Sequence, residues 1–185
     1  KDRTNSDIRN YPITGYVIKK FIHKDDAWAG NDAETLEKPF PIIRYAEILL
    51  SYVEALNNLT GGHTITDAEG NSQTFTRDVN EMAKYFNMIR YRAGLPGLTS
   101  AELSSPDQMF DLIVRERMIE FLHENRRFYD VRRWGIYEEV DKEPIVGMDT
   151  ESRKDGYYER TVVNHPIARN RKVERKMIWL PISRQ

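Results

Sequence analysis

A chain of 185 residues can bury roughly 70% of its unfolded surface, and its 3 Trp, 10 Tyr and 7 Phe need burial or a ligand, which excludes a disordered chain despite a mean hydropathy of -0.68. A formal net charge of -1 argues against a dedicated nucleic-acid binder, whose affinity comes from net phosphate neutralisation. The absence of cysteine excludes disulfides, thiol nucleophiles and cysteine-held metal sites, and no apolar run approaches the roughly 18 residues of a spanning helix.

The chain opens Lys1-Asp2-Arg3-Thr4-Asn5 with neither an initiator Met nor a targeting pattern. It is expected to be a piece of a longer protein. Residues 16–22 are β-branched and aromatic and predict a strand. A polar loop follows, rich in Asp, Gly and Asn and carrying Trp28, and Pro39 and Pro41 punctuate the approach to a first helix. That helix is predicted over residues 42–59, with Ile42, Tyr45, Leu49, Val53 and Leu56 at three-to-four spacing. Residues 60–76 are an inserted Thr/Asn/Gly-rich loop, with a small hairpin expected around Gly70-Asn71.

A second helix is predicted over residues 78–93, with Val79, Met82, Phe86 and Ile89 on one face and Gly94 as its stop. Together the two helices form a helix–loop–helix pair, the unit that solenoids stack. The third helix has the clearest start, Ser105-Pro106-Asp107-Gln108, with an N-cap serine and a first-turn proline. It is predicted to run to Trp134 before Gly135. Strand-like pieces follow, and Met177-Ile178-Trp179-Leu180-Pro181-Ile182 predicts a buried strand. Trp134 and Trp179 are expected in the core.

On a wheel of 100° per residue, Phe110, Ile113, Val114, Met118, Phe121, Leu122, Phe128 and Tyr129 cover about half of the third helix. Arg117, Glu120, Glu124 and Arg127 cluster at one border of that arc, with opposite charges three residues apart. Charges threaded between large hydrophobes predict a half-buried ion-pair lattice, which fixes geometry more than it stabilises.

Four stretches resemble one family. Pro41-Ile42-Ile43-Arg44-Tyr45-Ala46-Glu47-Ile48-Leu49-Leu50 continues to Glu54-Ala55; Asn87-Met88-Ile89-Arg90-Tyr91-Arg92-Ala93-Gly94-Leu95 closes the second helix. Glu116-Arg117 with Glu120-Phe121 leads into Glu124-Asn125-Arg126-Arg127-Phe128-Tyr129-Asp130-Val131-Arg132-Arg133-Trp134-Gly135, and Leu180-Pro181-Ile182-Ser183 stands near the end. Their order is similar to that of the SusD/RagB proteins, with Asn125 where glycine is common and Ser183 where proline is usual.

The resemblance implies a mostly α fold of tetratricopeptide-like helix pairs with long loops and a few short strands. It implies that residues 1–185 are a single C-terminal region of a surface lipoprotein of the Gram-negative outer membrane. The lipid would sit on an N-terminal cysteine outside this chain. The implied partner is a TonB-dependent transporter of the SusC type, supplied with glycan or in some cases peptide.

The expected lattice comprises Arg44, Glu47, Arg117, Glu120, Glu124, Arg127 and Asp130, which the resemblance implies are scaffold. Glu116, Glu120 and Glu124 also form a carboxylate row, which glycoside hydrolysis needs, but arginines on the same helix can pair them, so no catalytic residue is expected. The histidines, at positions 23, 63, 123 and 165, lack metal spacing. Asp67, Glu69, Gly70 and Asn71 faintly resemble a calcium loop without its bidentate glutamate, which favours a polar turn. No metal or cofactor is expected.

Trp28 has no apolar neighbours beyond two alanines. An aromatic ring in such a loop suits a sugar face: C–H groups stack on it while Asp26 and Asn31 take hydroxyls. Tyr157 and Tyr158 are candidates of the same kind. The function expected is noncatalytic glycan capture. A peptide-binding protein or a pure adaptor of the transporter is the alternative, and a carboxylate-based hydrolase a further one.

Overall fold

The computed structural model describes residues 12–27, 33–148 and 159–179. It divides into two compact units, Pro39–Arg127 and, from the two ends of the chain, Lys1–Lys38 with Phe128–Gln185. The described residues are mostly helical with a few short strands.

In the Pro39–Arg127 unit, helix α1 spans Tyr45–Asn57 and helix α2 spans Val79–Arg92. They pack together as the periodicity predicts, and α1 also packs against helix α4, Pro106–Glu120. The core comprises Leu49, Leu50, Val53 and Leu56 from α1, Met82, Phe86 and Ile89 from α2, and Met109 and Ile113 from α4. Between α1 and α2 residues 60–76 carry a hairpin, β1 His63–Thr66 against β2 Ser72–Phe75, antiparallel with Ile65 opposite Gln73. Both strands are exposed throughout. Asp67 builds the hairpin turn: one carboxylate oxygen accepts the Asn71 amide at 2.8 Å and the other the Asn71 side chain at 2.9 Å.

Helix starts obey local chemistry. Asp78 accepts the Asn80 and Glu81 amides, and Ser105 accepts the Gln108 amide ahead of Pro106. A short helix α3, Ser100–Ser104, was not foreseen. Its capping box is nevertheless written in the sequence as Thr99-x-x-Glu102, with the reciprocal bonds in place.

The third predicted helix does not run unbroken. It stops at Glu120, turns through residues 121–125 and resumes as α5, Arg126–Arg133. His123 and Asn125 each take φ 62°, a left-handed conformation that ends an α-helix. The helical wheel therefore loses phase after Phe121. Met118, Leu122, Phe128 and Tyr129, placed on the apolar arc, are exposed, whereas Met109, in the first turn of α4, is fully buried. Asn is among the few residues other than glycine that tolerate this backbone.

The other unit is built from short elements: helix α6 Tyr137–Lys142, strands β3 Val146–Met148 and β4 Arg160–Val162, helix α7 Pro166–Arg169, and a 3₁₀ turn at Arg175–Ile178. β3 and β4 pair antiparallel, Gly147 opposite Thr161. Met148 donates to the Thr14 carbonyl at 2.8 Å on the other side of β3. A Cβ on Gly147 would lie 2.5 Å from that oxygen, so the position excludes larger residues.

Two strand expectations fail here. Residues 16–22 are not a strand: no partner strand runs beside them among the described residues, where Thr14 bonds to β3. Met177 and Ile178 lie in a 3₁₀ turn and the Trp179 indole is 78% exposed, not buried; residues 180–182 of that expected strand lie outside the described residues. Trp134 is half-buried, under the Arg133 guanidinium at 4.5 Å. None of the helices among the described residues is long and apolar enough to cross a membrane.

Candidate functional site: an ion-pair scaffold and a tethered loop

The charged residues of α1, α2 and α4 meet at one place. Arg44, at the N-cap of α1, donates through Nη1 to Glu120 on α4 and through Nε to Glu124 in the turn, the latter at 2.8 Å. Its Nη2 also reaches the Glu120 carbonyl at 2.6 Å. From α2, Arg92 Nη2 contacts both Glu120 oxygens at 2.5 Å. Arg126, just after the turn, returns to Glu47 on α1 at 2.8 Å and to the Ile42 carbonyl. One arginine thus ties the end of α4 to the turn that follows it, which gives the break a defined geometry.

Phe121 closes the network from below. It is buried, with Arg44 over its ring at 4.8 Å and Arg117 at 5.2 Å. Arg117, itself buried, donates to the Ser51 hydroxyl at 3.3 Å. Arg127 Nη1 is buried with no hydrogen-bond partner among the described residues. Asp130 pairs with Arg133 at 2.9 Å within α5.

Electrostatics follow from this packing. Burial works to raise the Glu120 carboxyl, but the hydrogen bonds from Arg92 and Arg44 outweigh it and hold the group below its ordinary range. For Arg44, burial works against the charge, and Glu124 and Glu120 overcome it, raising the guanidinium. Glu116 goes the other way. Burial raises its carboxyl, and Arg90, 3.9 Å away, only partly opposes this. An ionised Glu120 held by two arginines cannot act as a general acid. None of the three carboxylates lines the cleft of about 350 Å³ between α1 and α2, or the one of about 590 Å³ beside β3 and β4.

Two further polar ties were not singled out from sequence. Asn57, the last residue of α1, is buried; it donates to the Pro106 carbonyl at 2.9 Å and accepts from Arg77 Nε at 3.0 Å. Arg77 in turn reaches the Leu103 carbonyl at 2.7 Å. Asn87 accepts the Leu98 amide at 2.8 Å, and Arg90 donates to the Pro96 carbonyl at 2.6 Å. The polar residues of the second motif thus fasten the turn after α2, where Gly94 has φ 73°.

Of the expected ligand residues, Trp28, Asn31, Tyr157 and Tyr158 lie outside the described residues. Asp26 is described, and it does not offer its oxygens to a sugar. Its side chain is 1% exposed and is committed to its own segment. It accepts from the His23 and Leu36 amides at 2.9 and 3.0 Å and pairs with Lys38 at 2.8 Å. The Lys38 hydrogen bond is the main reason its carboxyl lies below the ordinary range. The Ala27 amide also donates to the Glu34 carbonyl at 2.9 Å. These bonds bring together the residues on either side of 28–32.

Comparison with known proteins decides the family. The model of the SusD family matches residues 2–185. The chain belongs to the SusD family. It is 31% identical over 117 residues to SusD-like protein P2 of Formosa agariphila, covering 60% of this chain but 20% of that relative. No solved structure matches. SusD-type proteins bind nutrients and are generally noncatalytic, and the mostly α fold with few short strands is consistent with the family.

Proposed function

We propose that the intact protein captures a glycan at the outer surface of a Gram-negative cell, without catalysis, and delivers it to a SusC-like TonB-dependent transporter. The observation that carries this reading is the SusD family match over residues 2–185. The protein would be held at the outer membrane by a lipid on an N-terminal segment beyond this chain.

The charged motifs support the noncatalytic part. Their carboxylates are tied to arginines of other elements and line neither of the two clefts. In this proposal Trp28 supplies the stacking ring, Asn31 hydroxyl contacts, and Tyr157 and Tyr158 further aromatic surface. Asp26 acts one step back, holding the residues on either side of the Trp28 segment. Selectivity comes from shape and stacking.

The test is migration of the intact protein and its Trp28→Ala variant in native gels cast with different polysaccharides. Retardation by one polysaccharide, lost in the variant, is the expected result. Retardation unchanged in the variant would remove Trp28 from the site. No retardation by any polysaccharide, with transporter binding intact, would favour a peptide ligand or a pure adaptor.

A further inference from the structure

Charges of both signs and a wall of methyl groups meet in the cleft of about 590 Å³ beside β3 and β4. Its described lining belongs to the unit that includes Phe128–Gln185, and its volume is that of a small-molecule site, roughly 300–1,000 Å³. The wall is aliphatic, with Val162 from β4, Val163 just after it, and Val173. Val163 is buried, and its amide donates to the Ile145 carbonyl at 2.8 Å, so what it presents to the cleft is its side chain. The rim is charged. Arg171 donates through Nη2 to the Asp141 carbonyl and, at 2.7 Å, to the Glu143 carbonyl, which fastens its guanidinium to the end of α6. Its Nε and Nη1 have no acceptor among the described residues. Arg169 and Lys142 add two cations, and Asp141 and Glu143 two carboxylates. None of these four side chains makes a hydrogen bond or ion pair among the described residues.

From this arrangement we infer that the cleft binds a free aliphatic α-amino acid, a ligand separate from the glycan. The ligand carboxylate takes donors from Arg171 Nη1 and from Arg169, its ammonium meets Asp141 or Glu143, and its side chain lies on the valine wall. A guanidinium already fixed by two backbone carbonyls has less freedom to lose when it takes up a carboxylate. Charge-assisted hydrogen bonds of this kind are the strong ones.

Other small ligands suit the cleft less well. No aromatic ring lines it among the described residues, so a sugar finds no stacking face. Two carboxylates on the rim repel a sulfate or phosphate dianion. A plain aliphatic carboxylate would leave both Asp141 and Glu143 without a counter-charge. Only a zwitterion with an apolar body uses the cations, the carboxylates and the valines together.

The experiment is equilibrium dialysis of radiolabelled leucine against the intact protein. Saturable binding with a Kd below about 1 mM is expected. Arg169→Glu and Val162→Asp, both at exposed positions, are each expected to weaken it by at least about 10-fold while thermal melts and polysaccharide retardation stay as in the unaltered protein. Leucinamide, which lacks the carboxylate, and 4-methylpentanoate, which lacks the ammonium, are each expected to compete at least about 10-fold less well than unlabelled leucine. Absence of saturable leucine binding would overturn the inference. So would binding that both variants leave unchanged, which would place the leucine elsewhere, or competition by either analogue equal to that of leucine. Polysaccharide retardation lost in both variants would assign the cleft to the glycan and equally overturn it.

Discussion

The two units of the chain are held by different kinds of bond. In Pro39–Arg127, residues far apart in sequence are joined by charge: Arg44 to Glu120 and Glu124, Arg92 to Glu120, Arg126 to Glu47. In the unit made from the chain ends, distant segments are joined instead through backbone carbonyls, Met148 to Thr14, Arg132 to Met177 and Arg171 to Glu143, and by a sheet of two three-residue strands. The first arrangement makes one cooperative body, because losing one partner leaves several charges buried without compensation.

That contrast can be broken most forcefully at Arg44. Arg44→Ala leaves Glu120 and Glu124 each without one partner and is expected to destabilise the intact protein by about 3–5 kcal/mol in denaturant melts. A loss below about 1 kcal/mol would mean the network is ornamental. Next comes Asn57→Leu, which removes a donor to Pro106 and an acceptor for Arg77; roughly 1–3 kcal/mol is expected from the groups left unsatisfied.

The helix break gives a smaller and signed test. Asn125→Val puts a β-branched residue at φ 62° and is expected to cost about 1–2 kcal/mol. Asn125→Gly is expected to be neutral or stabilising. If valine were tolerated as well as glycine, the left-handed turn would be absent in solution. Smallest of all, Ile65→Ser on the exposed hairpin is expected to change stability by no more than about 0.5 kcal/mol.

The acid limb of stability sharpens the same contrast. Glu120 is held below the ordinary value of 4.5, so its pairing contributes fully above that value and is lost as pH falls through its folded pKa. Glu116 has the opposite sign. Its carboxyl is raised by burial, so its contribution is full below 4.5 and disappears as pH rises through its folded pKa. The stability gap between the unaltered protein and Glu120→Gln is therefore expected to close on acidification. A gap that stays constant from neutral pH into the acid range would contradict the pairing of Glu120.

Much of this frame is legible in the residues themselves. The three-to-four spacing of apolar residues locates α1 and α2 to within a few residues, and Ser105-Pro106 marks the start of α4. The break after Glu120 is hidden, because the alternation of charge and hydrophobe runs on through it and no glycine or proline marks the turn. Residues 16–22 have every local property of a strand, but a strand also needs a neighbour, which local composition does not reveal. Asp26 shows the same limit at the candidate site. An acidic residue beside an aromatic loop reads as a ligand contact until its oxygens are found on the His23 and Leu36 amides and Lys38.

The central claim is that the charged motifs build the frame and do no chemistry. Its most direct test uses the intact protein and its Glu120→Gln variant, both well below their melting temperatures, with the polysaccharide that retards the unaltered protein. Gel retardation and release of new reducing ends are measured together. The account predicts equal retardation of both proteins and no reducing ends from either. Reducing ends released by the unaltered protein and abolished in the variant would contradict it and make Glu120 a catalytic residue.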